Sequence, residues 1–171
     1  QGDFGRSWYG NAPAFRLVVD RMPPTIYLTL AGLGVALLIA LPLGVLAALK
    51  RHSFVDTLCT LLAVAGQAMP IFWLGIMLII IFAVRLRLLP ASGYGTWQNF
   101  VMPAFCLGAF LAPITMRLVR SGIIEVMNME FIKTARAKGV AERMVVRKHA
   151  FRNACIPVIT VLGLQFGQLL G

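Results

Sequence analysis

Between Asn128 and Pro157 the chain places seven Lys or Arg residues in thirty positions, around Gly139, and then returns to apolar sequence. No catalytic set accompanies these cations. Cys59, Cys106 and Cys155 lie far apart and form no close-spaced pair. They fit small apolar packing positions, not a zinc site or a disulfide framework. His52 follows Arg51 and His149 follows Lys148, so both sit among cations that oppose a metal ion. No metal site is expected. The chain also has no G-x-x-x-x-G-K-[ST] phosphate loop, so it carries no ATP-handling motif of its own and reads as a non-enzyme. The chemistry open to this stretch is recognition by docking.

Its pattern supports that. Glu130 to Lys138 reads as a helix with an acid near its start and cations near its end, which suits the helix dipole. Gly139 falls where a C-terminal cap needs positive φ. Ala141 to Arg152 reads as a second helix, with Glu142 in its first turn and Arg147, Lys148 and Arg152 in its last. Ala135, Ala137 and Gly139 are small and let another surface approach, while Val140, Met144 and Val145 give it something apolar to bury. Topological charge alone explains the cations but not two capped helices around a glycine. A DNA-binding helix-turn-helix is also basic with Gly in its turn. Here it would be pinned to a bilayer with almost no linker, so no nucleic acid partner is expected. A protein-docking loop fits best.

The elements that hold this loop must be membrane helices. The 171 residues are 59% hydrophobic and 13% charged, against about 25% charged in soluble domains. The net charge of +10 sits mainly between apolar runs, which points to the lipid bilayer as solvent. A spanning helix needs about 20 apolar residues. The expected fold is an all-α, polytopic transmembrane helical bundle with spans near 25–49, 57–84, 100–119 and 155–171, the last unfinished. Residues 1–24 form an outer segment, and residues 120–153 form the basic loop. Eleven Lys and Arg fall in Lys50–Asp56 and Arg117–Asn153 against five elsewhere, which puts the basic loop in the cytoplasm. In the outer segment, "NAPAFRLVVDRMPP" predicts a short interfacial helix stopped by Pro23 and Pro24.

Inside the spans, Pro42, Pro70 and Pro113 are expected to kink their helices. Gly32, Ala36, Gly44 and Ala48 form a small-residue stripe for close helix contact. Gln67, Thr115, Gln165 and Gln168 are the polar candidates for a solute path; each also fits a plain helix–helix hydrogen bond. No ionisable residue is expected deep in a span, unlike ion-coupled transporters. The chain starts at Gln1 and ends at Gly171 within an apolar run, so it is expected to be a piece of a longer membrane protein.

Two stretches carry a resemblance. "TARAKG" followed by "HAFRNACIPVITVLGLQFGQLLG" resembles the cytoplasmic loop of binding-protein-dependent ABC importer permeases, and "GDFGRS" at Gly2 to Ser7 resembles the outer segment of the dipeptide, oligopeptide and nickel branch. The general loop of that family reads Glu-Ala-Ala, three residues, Gly, nine residues, then Ile-x-Leu-Pro. Aligned on Gly139, those first three positions are Lys133, Thr134 and Ala135, and Arg152 and Pro157 stand near the proline. These departures resemble the peptide branch and remove any contact assigned to a glutamate at Lys133.

The resemblance implies a transport subunit of a bacterial or archaeal inner membrane. It implies a coupling helix around Ala135 to Arg143 that docks into cytosolic ATP-binding subunits. ATP and magnesium would be bound by those partners and no cofactor by this chain. It further implies a second permease subunit and an extracytoplasmic solute-binding protein delivering a peptide or nickel. Thr134, Ala135, Ala137 and Gly139 would set loop geometry, and Arg136, Lys138, Glu142 and Arg143 would contact the ATPase. An ATP-independent secondary transporter or channel, or a non-transporting scaffold, are the competing classes.

Overall fold

The computed structural model describes residues 5, 13–93 and 95–170. The first helix, α1 (Ala14–Leu49), ends where Lys50 and Arg51 begin the basic side. It runs without a break through Pro23 and Pro24, so the separate short helix predicted for the outer segment is not formed. Two adjacent prolines free the carbonyls of Val19 and Asp20, but that stretch is exposed and water can satisfy them. Thr25 Oγ1 also donates to the Arg21 carbonyl at 2.9 Å, tying the turn.

The straight span expected over residues 57–84 is instead two helices. α2 (Phe54–Ala68) is capped by Ser53, whose hydroxyl accepts the Asp56 N–H. α3 (Ile71–Leu78) follows and continues as a π-helix over Ile79–Arg85. The two halves are bent by 94° at Met69 and Pro70. The cause is local: the Pro70 ring drives Met69 out of the helical region, to φ −75 and ψ 127. Pro42 and Pro113 lie inside unbroken helices, so among the three predicted kink sites only Pro70 breaks one.

After a loop with Gly93 and Gly95 at positive φ, α4 (Trp97–Met127) begins. Its 31 residues make a rod about 46 Å long, so it extends beyond the predicted 100–119 span at the basic end. α5 (Glu130–Ala137) folds back from there. Then α6 (Glu142–Met144), a π-helical stretch Val145–Phe151 and α7 (Arg152–Leu170) run as one continuous helix. The predicted second loop helix and the fourth span are therefore a single rod. Neither Gly nor Pro falls between Gly139 and Pro157 to interrupt it.

Three helices are long and apolar enough to cross a membrane, and the bent α2–α3 pair makes a fourth if it counts as one span. α4 is the centre, packing against α1, α2, α3 and α7. Its contact with α1 is backbone-close. A Cβ on Gly44 would lie 2.8 Å from Val119 Cβ and 2.9 Å from the Met116 carbonyl, and one on Gly108 would overlap Val35. Ala36, Ala40 and Ala47 on α1 are fully buried. The small-residue stripe is thus used within the chain, as van der Waals packing in lipid requires.

Candidate functional site: the basic helix–glycine–helix loop

The basic loop is a folded part of the bundle. Ile132 of α5, Val145 and Ala150 are fully buried, clustered with Val119, Ile123 and Val126 of α4 and Ala154 and Val158 of α7. This separates two residues that the sequence put on one docking face. Val145 faces inward and stabilises the loop, while Met144 is exposed together with Phe131 and Met129. The apolar surface left for a partner is therefore Met129, Phe131 and Met144.

The turn is closed by a complete Schellman arrangement. Gly139 N–H donates to the Arg136 carbonyl at 2.9 Å and Val140 N–H to the Ala135 carbonyl at 3.2 Å. Gly139 holds φ 76, a conformation that costs other residues about 1–2 kcal/mol. Ala135 and Val140 both pack against the inner cluster, supplying the apolar contact that accompanies this cap. Across the turn, Arg136 donates to both Glu142 oxygens, Nε at 3.1 Å and Nη2 at 2.6 Å. These hydrogen bonds hold the Glu142 carboxyl below the usual carboxylate range. Their contribution is present at neutral pH and is lost as pH falls through the lowered value. Both side chains are about half exposed, so solvent screens the pair and its contribution is small.

Each predicted docking residue has a definite place. Thr134 Oγ1 donates back to the Glu130 carbonyl at 3.1 Å, so its hydroxyl is tied to its own helix. Ala135 is half-buried; Ala137, Lys138 and Gly139 are exposed. Arg136 and Glu142 brace each other, and Arg143 faces a cleft shared with Arg51 and Arg147. The four polar path candidates are not alike. Gln67 is exposed and accepts from Arg117 Nη2 at 2.8 Å. Thr115 is buried and donates to the Leu111 carbonyl at 3.2 Å. Gln165 is buried, and its Oε1 has no hydrogen-bond partner among the described residues. Gln168 is exposed. No cluster of three or more His, Cys, Asp or Glu side chains suited to a metal occurs among the described residues. The Gly2 to Ser7 motif lies, except for Gly5, outside the described residues.

Sequence reasoning missed one interaction. Arg120 of α4 donates to both Asp56 oxygens at 2.7 Å, and Asp56 Oδ2 also accepts the His52 N–H at 3.1 Å. Asp56 is buried, and the pair ties the start of α2 to α4 at the basic end of the bundle. The Ser53-x-x-Asp56 spacing is a helix-start signature that marks Asp56. Nothing in the sequence marks Arg120 as its partner.

Comparison with known proteins agrees with this architecture. Residues 40–171 match the family described as binding-protein-dependent transport system inner membrane component. The glutathione transport system permease protein GsiC of Salmonella typhimurium is 43% identical over all 171 residues, and that of Escherichia coli K12 is 42% identical. The chain spans 56% of the length of each, about half. An amino acid ABC transporter crystallised with histidines superposes with a TM-score of 0.61 at 14% identity, over 91% of this chain and 68% of that one. That likeness concerns the fold alone. With 132 of the 171 residues inside the family match (40 to 171 inclusive), the chain belongs to the binding-protein-dependent transport system inner membrane components.

Proposed function

We propose that this chain is the larger part of a permease subunit in an ATP-driven importer, and that its cargo is a small peptide of the glutathione type. The observation that carries the reading is the loop. A short amphipathic helix, closed by Gly139 and braced by Arg136 and Glu142, is fixed rigidly to the ends of α4 and α7. Such a lever transmits force only if a cytosolic partner pushes it. The partner is an ATP-binding subunit, which holds ATP and magnesium; this chain binds no cofactor. A second permease subunit completes the path in the inner membrane, and an extracytoplasmic binding protein delivers the solute. Lys138 with Met129, Phe131 and Met144 are the contacts the ATPase meets, and Gln165, whose buried carbonyl has no partner among the described residues, stays a path candidate. The names of the GsiC relatives support peptide cargo over nickel.

The test is uptake by cells lacking this protein and by a complemented strain, with labelled glutathione, a dipeptide, a longer peptide and nickel in parallel. Loss and restoration of glutathione or dipeptide uptake is the expected result. Loss of nickel uptake alone would replace the cargo. If no uptake changes while the ATP-binding subunit still co-purifies, the scaffold alternative stands.

A further inference from the structure

Beside the docking loop lies a cleft of about 640 Å³ at the basic end of the bundle. Its floor is apolar, formed by Leu49 at the end of α1 and by Ile124 and Met127 near the end of α4. Its rim is cationic. Arg143 and Arg147 stand four apart on one helix face, and Arg51 stands just past the end of α1. None of these three has an ion pair among the described residues, whereas Arg136 on the same rim is neutralised by Glu142. Three uncompensated guanidinium groups around one hollow repel each other, and an anion placed between them offsets that repulsion.

We propose that this cleft binds the headgroup of an anionic phospholipid from the cytoplasmic leaflet. Three properties select that ligand. Guanidinium groups match phosphate oxygens bidentately, which favours a phosphate over a diffuse anion. The floor of Leu49, Ile124 and Met127 matches the glycerol and first acyl carbons, which a free phosphate lacks. The depth is right as well. Leu49 closes the charge-free run from Thr25, and Lys50 and Arg51 follow at once, so the cleft opens where hydrocarbon meets headgroups. A lipid phosphate already lies at that level, and basic hollows between membrane helices on this side are suited to it. An acidic segment of a cytosolic protein would have to reach down to it. The site is separate from solute import, and its test does not depend on uptake.

The full-length permease, purified in a neutral detergent, is examined by native mass spectrometry with phosphatidylglycerol and phosphatidylcholine at equal concentration. Wild type is expected to retain phosphatidylglycerol selectively. In the Arg51→Gln, Arg147→Gln double variant, retention is expected to fall about thirty-fold, with roughly a fifth remaining per lost cation. Lysine at both positions keeps the charge without the bidentate fork and is expected to retain a share between wild type and the glutamine variant. Equal retention of the two lipids by wild type, or unchanged retention by the glutamine variant, overturns the proposal. Displacement of the lipid by a large excess of inorganic phosphate would assign the site to a soluble anion. Displacement by the ATP-binding subunit would assign it to a protein. If the glutamine variant fails to fold, wild-type selectivity and the lysine variant decide the matter.

Discussion

At residue 139 the chain needs a backbone shape and not a small volume. A Cβ on Gly139 would meet nothing within 4 Å, yet φ is 76. Gly139→Ala is therefore expected to strain the turn by about 1 kcal/mol, Gly139→Val by more because a β-branched side chain tolerates positive φ worst, and Gly139→Asn by least. Trypsin cleavage at Arg136 and Lys138 in inside-out vesicles, with recovery of the ATP-binding subunit, should follow the order Val, Ala, Asn, wild type. Val behaving as wild type would remove Gly139 from the loop's geometry. The glycine and its cations were legible in the sequence because a helix cap is a local event. Asp56 and Arg120 were not legible, because 64 residues separate them and only the packing of α2 on α4 brings them together. Removing Arg120 leaves the Asp56 charge buried without its partner, at a cost of about 3 kcal/mol; Arg120 is partly exposed, so removing Asp56 costs less. Asp56→Asn and Arg120→Gln should each lower the melting temperature in detergent, and the double variant should lose clearly less than the sum. Additive losses would mean that the two side chains are not coupled.

Helices were easier to read than their ends. The charge-free runs after Thr25 and Phe100 mark α1 and α4, because lipid demands long apolar segments. Boundaries failed wherever proline was read without its surroundings. Pro23 and Pro24 leave α1 intact since the freed carbonyls are exposed, whereas Pro70 breaks a span because Met69 before it turns extended. The continuity of α7 with the loop helix was hidden by the cations of Arg147 to Arg152, which read as the last turn of a separate helix although the helix runs on. The α1–α4 contact is the element-scale feature most exposed to test. At Gly44 the obstacles are the Val119 side chain and the Met116 backbone carbonyl, and backbone cannot swing aside. Gly44→Ala should cost about 1–3 kcal/mol through overpacking, and Gly44→Leu should prevent a folded monomer peak in size-exclusion chromatography. By contrast Gly34→Ala, on the same helix with open space around its Cβ, should be neutral or slightly stabilising. Equal behaviour of the two alanine variants would contradict the close α1–α4 approach.

For the molecule as a whole, the exposed surface and the charge distribution define one orientation. Leu38 is 78% exposed, Ile159 67% and Leu164 64%, an apolar exterior that water would not tolerate and that acyl chains or neighbouring spans can cover. The bundle is basic at the end holding Arg51, Arg120 and the loop, and the excess of Lys and Arg there is expected to keep that end in the cytoplasm. The turn between the π-helical end of α3 and the start of α4, where Ser92 is exposed, is then expected to face outward. The two faces can be told apart chemically. Cys59 and Cys106 are buried and Cys155 partly so, and all three are replaced by serine or alanine to give a silent background. A membrane-impermeant maleimide should then label Ser92→Cys in intact spheroplasts and Lys138→Cys only after permeabilisation. Because Lys138 adjoins Gly139 on the exposed side of the turn, adding the ATP-binding subunit should slow its labelling as well. The reverse labelling pattern would turn the bundle over. It would put the loop outside the cell, where no ATP-binding subunit can meet it, so orientation and docking stand or fall on the same pair of cysteines.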